Sequence, residues 1–195
     1  GSVKLSTLGA VIPGQGVAGA KVYTTIGGRF SFLILLFSAE SGEPLATFDA
    51  AAITRLRTAA CSVLAARHLA RPDSHVLAVL GLGIQGVAHA RQFAQAYPLQ
   101  RICVHSPHLT ETLVQALQAD CGVPVQACSA AGAVAQADLV VTASRSRMPL
   151  FDGALLKPGA FVAAVGSSLP TTRELDDTAL ARASVVAVEW RTQSL

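Results

Sequence analysis

A chain of 195 residues is above the usual size of one domain and short of two. With 51% hydrophobic and only 14% charged residues it is not a disordered segment, and it carries enough apolar side chains for a sizeable core. The formal charge of +3, from 15 basic and 12 acidic residues, is too mild and too dispersed to point to nucleic acid or an anionic membrane.

In chain order, residues 1 to about 48 read as strands, with Gly1-Ser2 set aside as a cloning remnant. Lys21 to Ile26 alternates weakly, Gly27-Gly28 turns, Phe30 to Ser38 is a strand, Glu40 to Glu43 turns, and Leu45 to Phe48 is a strand again. The apolar stretch Phe30 to Phe37 is far short of the roughly 20 residues of a membrane span and reads as a buried strand. Asp49 can cap a helix running to about Ala70, with Ile53, Leu56, Ala60, Leu64 and Leu69 near one face and Pro72 beyond its end. From His75 the pattern alternates. Val76–Leu80, Ile102–His105, Val123–Ala127, Leu139–Thr142, Phe161–Val165 and Val185–Val188 read as short apolar strands. Between them lie helices over Ile84–Tyr97 and Leu109–Asp120, the latter closed by Gly122, and an Ala-rich helix that Ser129 can cap. Such alternation predicts an α/β fold, a doubly wound parallel sheet.

The cysteines Cys61, Cys103, Cys121 and Cys128 form no CxxC pair and read as free buried thiols in a reducing compartment. The histidines lack metal-ligand spacing, so no metal site is expected.

The first strand of the alternating region runs into Gly81-Leu82-Gly83-Ile84-Gln85-Gly86, a GxGxxG between strand and helix. There the first glycine permits a tight turn, the second lets the backbone approach a pyrophosphate, and the third lets helix and strand pack closely. The helix N-terminus then faces the phosphates. The next strand ends in His105-Ser106-Pro107-His108, with no carboxylate before Glu111 to hold a ribose 2′-hydroxyl. Ser106 and His108 therefore favour NADP, with NAD possible; the missing arginine keeps that preference modest.

Several segments together resemble the ornithine cyclodeaminase/mu-crystallin family: Thr54-Arg55-Leu56-Arg57-Thr58-Ala59-Ala60 with Leu69-Ala70-Arg71-Pro72, the GLGIQG loop, Ala137 to Ser144, and Val165 to Pro170 with Arg173-Glu174-Leu175. The resemblance implies a Rossmann domain over residues 71–195, and over residues 1–70 part of a smaller substrate-binding and dimerisation domain with its connecting helix. It implies that Lys21 and Arg57 hold the substrate's carboxylate. Thr58 would lie near the cofactor phosphates, Thr142, Ala143 and Ser144 along the nicotinamide ribose, and Val165, Gly166 and Ser167 beside the nicotinamide. Gly81, Gly83, Ile84, Gln85 and Gly86 make up the cofactor loop. Ser168 stands where cyclodeaminating members have an aspartate, and is kept as a candidate catalytic residue.

That serine favours the ketimine-reductase branch: NAD(P)H-dependent reduction of Δ1-pyrroline-2-carboxylate or Δ1-piperideine-2-carboxylate to L-proline or L-pipecolate, by a cytoplasmic homodimer. The alternatives are an ornithine cyclodeaminase, an alanine-type dehydrogenase, and a non-enzymatic mu-crystallin-like binding protein. Family members are longer at both ends, so the chain is expected to be a fragment.

Overall fold

The computed structural model describes residues 3–27 and 29–188. The chain divides into two compact units, residues 1–58 and 59–195.

The first unit is an antiparallel meander of β1 (Val3–Ile12), β2 (Val17–Ile26), β3 (Arg29–Ser38) and β4 (Pro44–Asp49), in the order β1-β2-β3-β4. A 3-10 turn over Pro13–Gln15 joins the first two strands. It closes at Gly16, whose φ of 64° suits a glycine and whose N–H donates to the Pro13 carbonyl. The register puts Leu8, Lys21, Ile34 and Phe48 in one row across the sheet, beside a row of Ser6, Tyr23 and Phe32. The opposite face carries Val11, Ala18 and Phe37 in one row and Thr7, Val22 and Leu33 in another. The expectation of a buried strand at Phe30–Phe37 is corrected: Phe30, Leu33 and Phe37 of β3 are exposed. Among the described residues of this unit only Ala50 and Thr54 are buried. A four-stranded sheet alone has nothing to lay over its own faces.

Helix α1 (Ala51–Leu69) starts in the first unit and ends in the second. The Asp49 carboxylate accepts from the Ala51 N–H at 2.8 Å, so the predicted cap is present. The apolar side marked by Ile53, Leu56, Ala60, Leu64 and Leu69 is exposed. Within the second unit the helix is buried through Ala59, Val63 and Ala66 instead. Small residues let a helix approach closely, and here size decides the packed side over hydrophobicity.

The second unit is a parallel sheet of β5 (Val76–Leu80), β6 (Arg101–His105), β7 (Val125–Ala127), β8 (Leu139–Thr142) and β9 (Phe161–Ala164), in the order β7-β6-β5-β8-β9. With α2 (Ile84–Ala96), α3 (Glu111–Cys121), α4 (Ala130–Gln136) and α5 (Asp177–Ala181) it forms the doubly wound α/β fold read from the sequence. Side chains alternate along each strand. Leu77, Val79, Ile102, Val104, Leu139 and Val141 pack with Phe93 and Leu117, whereas Ala78, Leu80, Cys103 and Val140 pack with Ala133, Val134 and Phe151. The Thr110 hydroxyl caps α3, Gly122 ends it at φ 69°, and the Ser129 hydroxyl caps α4. The run Val185–Val188 is not a strand: it is exposed and joins no ladder, so hydrophobicity alone misleads there.

At the N-terminal ends of β5 and β8, buried Asp138 accepts from the His75 and Val76 N–H groups, each at 3.0 Å, and pairs with Lys157 at 3.0 Å and Arg71 at 3.2 Å. Burial would raise its carboxyl; the bonds from His75, Lys157 and Val76 outweigh it and hold the pKa below the ordinary aspartate value. All four cysteines are free, but Cys61 is exposed rather than buried. Cys103 is buried, and burial next to Cys128 pushes its thiol up to about 11. Among the described residues no helix is long and apolar enough to cross a membrane.

Candidate cofactor and substrate sites

Strand order reverses between β5 and β8, and in open α/β sheets the crevice beyond the strand ends at such a switch point takes ligands. The glycine loop lies there. Gly81 has φ +99°, and a Cβ on it would stand 2.6 Å from the Ala143 carbonyl oxygen. A Cβ on Gly86 would fall 1.9 Å from the Gly81 oxygen, so only glycine lets α2 begin this close to β5. Gly83 is different: nothing lies within 4 Å of its would-be Cβ. It is also the N-cap of α2, and no side chain caps that helix. An open cradle at an uncapped helix N-terminus fits the pyrophosphate of a dinucleotide. Ile84 is exposed beside it. The Gln85 carbonyl contacts Nδ1 of buried His89 at 2.7 Å, and the other ring nitrogen lies 3.0 Å from the Ser62 hydroxyl. Burial holds that imidazole below the usual histidine range, favouring its neutral form.

The loop after β6 turns at Ser106, whose carbonyl accepts from the Leu109 N–H at 3.2 Å; Ser106 is half-buried and His108 exposed. His105 faces inward, with Nδ1 3.1 Å from the Cys128 carbonyl, and its own carbonyl accepts from the Gly81 N–H at 2.8 Å.

Beyond β8 and β9 the arrangement centres on a residue that sequence reading did not select. The Glu174 side chain is fully buried. Its Oε1 accepts from the Ser144 N–H at 2.6 Å and the Ser144 hydroxyl at 2.7 Å. Its Oε2 accepts from the Thr142 hydroxyl at 2.9 Å and the Gly166 N–H at 2.7 Å. The Glu174 N–H donates to the Ser167 hydroxyl at 3.1 Å. Gly166 is again required, since a Cβ there would stand 2.0 Å from the Ser144 carbonyl oxygen. Thr142, expected along the ribose, is fully buried and its hydroxyl donates to Glu174. Ala143, Ser144, Val165 and Gly166 are half-buried at the strand ends, and Ser167 is exposed. The only sequence signal for Glu174 was its place in Arg173-Glu174-Leu175; its partners lie 8 to 32 positions away, out of reach of local patterns.

Ser168 is exposed. Its N–H donates to the Gly166 carbonyl at 2.8 Å, and its hydroxyl has no hydrogen-bond partner among the described residues.

In the first unit, Lys21 stands in β2 with its ammonium 5.4 Å from the centre of the Tyr23 ring and 5.6 Å from that of Phe32. Burial first, and then the like charge of Arg57, hold the Lys21 pKa below the usual lysine value. Lys21 and Arg57 are thus close enough to repel, and neither is paired with a carboxylate among the described residues. Two cations that feel each other's charge, with no ion-pair partner among the described residues, are suited to an anion. The Thr58 hydroxyl donates to the Thr54 carbonyl at 2.7 Å.

The sequence matches the ornithine cyclodeaminase/mu-crystallin family over residues 22–194. Ketimine reductase mu-crystallin of Mus musculus is 36% identical over 165 residues, covering 83% of this chain and 51% of that protein. The Delta(1)-pyrroline-2-carboxylate reductase of Paracoccus denitrificans is 32% identical over 180 residues, covering 86% of this chain and 56% of that protein. The chain thus spans about half the length of the curated relatives it matches. A crystal structure described as a probable ornithine cyclodeaminase from Bordetella pertussis Tohama I is 61% identical, with a TM-score of 0.96 over 99% of this chain and 62% of that one. With the glycine loop, the strand order and the motif segments in agreement, this chain belongs to the ornithine cyclodeaminase/mu-crystallin family.

Proposed function

We propose that the protein is an NAD(P)H-dependent oxidoreductase acting on C=N bonds, and that it reduces cyclic ketimino acids such as Δ1-pyrroline-2-carboxylate and Δ1-piperideine-2-carboxylate. The observation that carries the reading is the pair Lys21 and Arg57, two neighbouring cations without an acidic partner among the described residues. Such a pair attracts a carboxylate, the group these substrates share. The guanidinium can grip it through two N–H donors while the ammonium adds a point charge, fixing the orientation of the ring that bears the imine. The cofactor, when bound, supplies the hydride. The chain's part is to bind and aim: the Gly81–Gly86 loop and the N-terminus of α2 hold the pyrophosphate, and the loops after β8 and β9, through Ala143, Ser144, Val165, Gly166 and Ser167, flank the nicotinamide half. The first unit serves the substrate and the second the cofactor. The names of the mouse and Paracoccus relatives support reduction. We infer a homodimer in the cytoplasm; the free cysteines suit a reducing compartment.

Ser106 and His108 favour NADPH over NADH, because no carboxylate repels a 2′-phosphate at the end of β6. Replacing Ser106 with Asp should shift the kcat/KM ratio towards NADH; an unmoved ratio would mean that this loop does not meet the ribose.

The name of the 61% identical Bordetella protein favours a second reading, cyclodeamination of ornithine. That reaction needs a group to take a proton from the amine and manage the departing ammonia. Ser168 is poorly suited to this, being a hydroxyl with no base bonded to it among the described residues. The deciding experiment follows NADPH and NADH oxidation with Δ1-pyrroline-2-carboxylate, with pyruvate plus ammonia, and ammonia release from ornithine with NAD⁺. Ketimine-dependent oxidation is expected. Ammonia release at a catalytic rate without it would replace the reductase by the lyase; oxidation with pyruvate plus ammonia alone would indicate an amino-acid dehydrogenase.

A further inference from the structure

A buried carboxylate needs partners, and Glu174, in no ion pair among the described residues, has four hydrogen-bond donors from two loops. Thr142 and Ser144 leave the end of β8; Gly166 leaves the end of β9. No backbone hydrogen bond of the sheet continues past the Val165 N–H to the Thr142 carbonyl, at 2.9 Å, to hold these two segments together. Glu174 takes over where that ladder stops. Gly166 and Ser144 approach so closely that no side chain fits between them, and one carboxylate bonds to both. The hydroxyl protons of Thr142 and Ser144 are both committed to it, which leaves the Ser144 oxygen facing other groups as an acceptor; it already takes the Ser146 N–H at 3.2 Å.

We propose that Glu174 is a positioning residue for the nicotinamide half of the cofactor crevice: it locks the loops after β8 and β9 at one separation and turns Ser144 into a hydrogen-bond acceptor for a ribose hydroxyl. The proposal rests on the nucleotide part of the reading above and is independent of which imine is reduced. The Gly81–Gly86 loop and the Ser106–His108 turn, which would hold the adenosine diphosphate half, have no hydrogen bond to Glu174 among the described residues.

The substitution Glu174→Gln keeps the shape and fails chemically in either orientation. The partners of one oxygen include the Ser144 N–H and those of the other the Gly166 N–H; both can only donate, so the amide NH₂ always faces a donor. The loops should part or shift, and the nicotinamide end should lose its seat.

The test uses the full-length protein and compares two ligands: NADPH or NADH, whichever the wild type binds more tightly, and ADP-ribose with or without the matching 2′-phosphate, which lacks the nicotinamide half. Dissociation constants come from calorimetry, and the fluorescence of the bound dihydronicotinamide reports on its surroundings. In Glu174→Gln, dinucleotide affinity is expected to fall about tenfold, with the ADP-ribose constant within about twofold of wild type and the dihydronicotinamide emission moved towards that in water. Thr142→Val, buried and nearly isosteric, removes one donor from the same carboxylate; it should shift the two affinities the same way, by less. Glu174→Asp keeps the charge and should recover part of the loss. Equal weakening of both ligands, or of neither, would overturn the proposal, the first by making Glu174 a purely structural group. A wild-type protein that binds neither ligand would instead remove the nucleotide reading itself, and the proposal with it.

Discussion

A lysine that is partly buried and beside a guanidinium is harder to keep protonated than one in water. Lys21 has both burdens, and its pKa is lowered by burial first and by Arg57 second. The ammonium is present below that lowered pKa and lost above it. Binding of a carboxylate substrate should therefore weaken on the alkaline side before an ordinary lysine, with its pKa of about 10.4, would titrate. Arg57→Ala should cost about ten- to a hundredfold in kcat/KM through a lost charge-assisted bond, and leave NAD(P)H affinity as it was. It should also move the alkaline limb of the profile to higher pH, because one of the two causes of the shift has gone while burial remains. Lys21→Arg should flatten that limb. A kcat/KM on the ketimine that Arg57→Ala leaves unchanged would dismiss the carboxylate clamp.

At the scale of elements, the strand–loop–helix unit carries its own test. The glycines of the loop fall into two kinds. Gly86 abuts the Gly81 carbonyl, so Gly86→Ala forces backbone against side chain and should lower the melting temperature as well as abolish dinucleotide binding. Gly83 has extended backbone angles that alanine adopts freely, and open space before it. Gly83→Ala should melt with the wild type and still bind dinucleotide weakly, since its methyl stands where the pyrophosphate would lie. Thermal unfolding and nucleotide titration of both variants check this; equal affinity in Gly83→Ala would place the phosphates elsewhere. This unit was legible because GxGxxG between an apolar run and a helix is a local pattern, and so were the caps at Asp49, Thr110 and Ser129, which act within three residues. The buried side of α1 was not legible, because Leu56 and Leu64 outweigh Ala59 and Ala66 on any hydrophobic scale while the packing selects the small residues. Glu174 was not legible as a hub because its bonds to Thr142 and Ser144 join residues 32 and 30 positions apart. Lys21 and Arg57 came from resemblance; their mutual proximity depends on the register of β2 and the start of α1, which composition does not encode.

At the scale of the whole molecule, the two units differ in how well they bury what they carry. The parallel sheet is covered on both faces, with Leu77, Val79, Ile102 and Val104 fully buried on one and Ala78, Leu80, Cys103 and Val140 on the other. On the antiparallel sheet, Leu5, Val11, Leu33 and Phe37 share one face by register and remain 66, 64, 40 and 36% exposed. Apolar side chains aligned on an open sheet face are a surface made to be covered. In the proposed homodimer a second copy would cover this one. Leu33 lies on an inner strand of that face, so Leu33→Glu would set a charge within the contact and oppose pairing. Sedimentation velocity across the micromolar range should find the wild type as a dimer and Leu33→Glu as a monomer. The glycine loop lies in the other unit, so the variant should still bind the dinucleotide, which separates a lost interface from a lost fold. A wild type that sediments as a monomer throughout that range would refute the homodimer; an unaltered dimer in Leu33→Glu would move the interface away from this face.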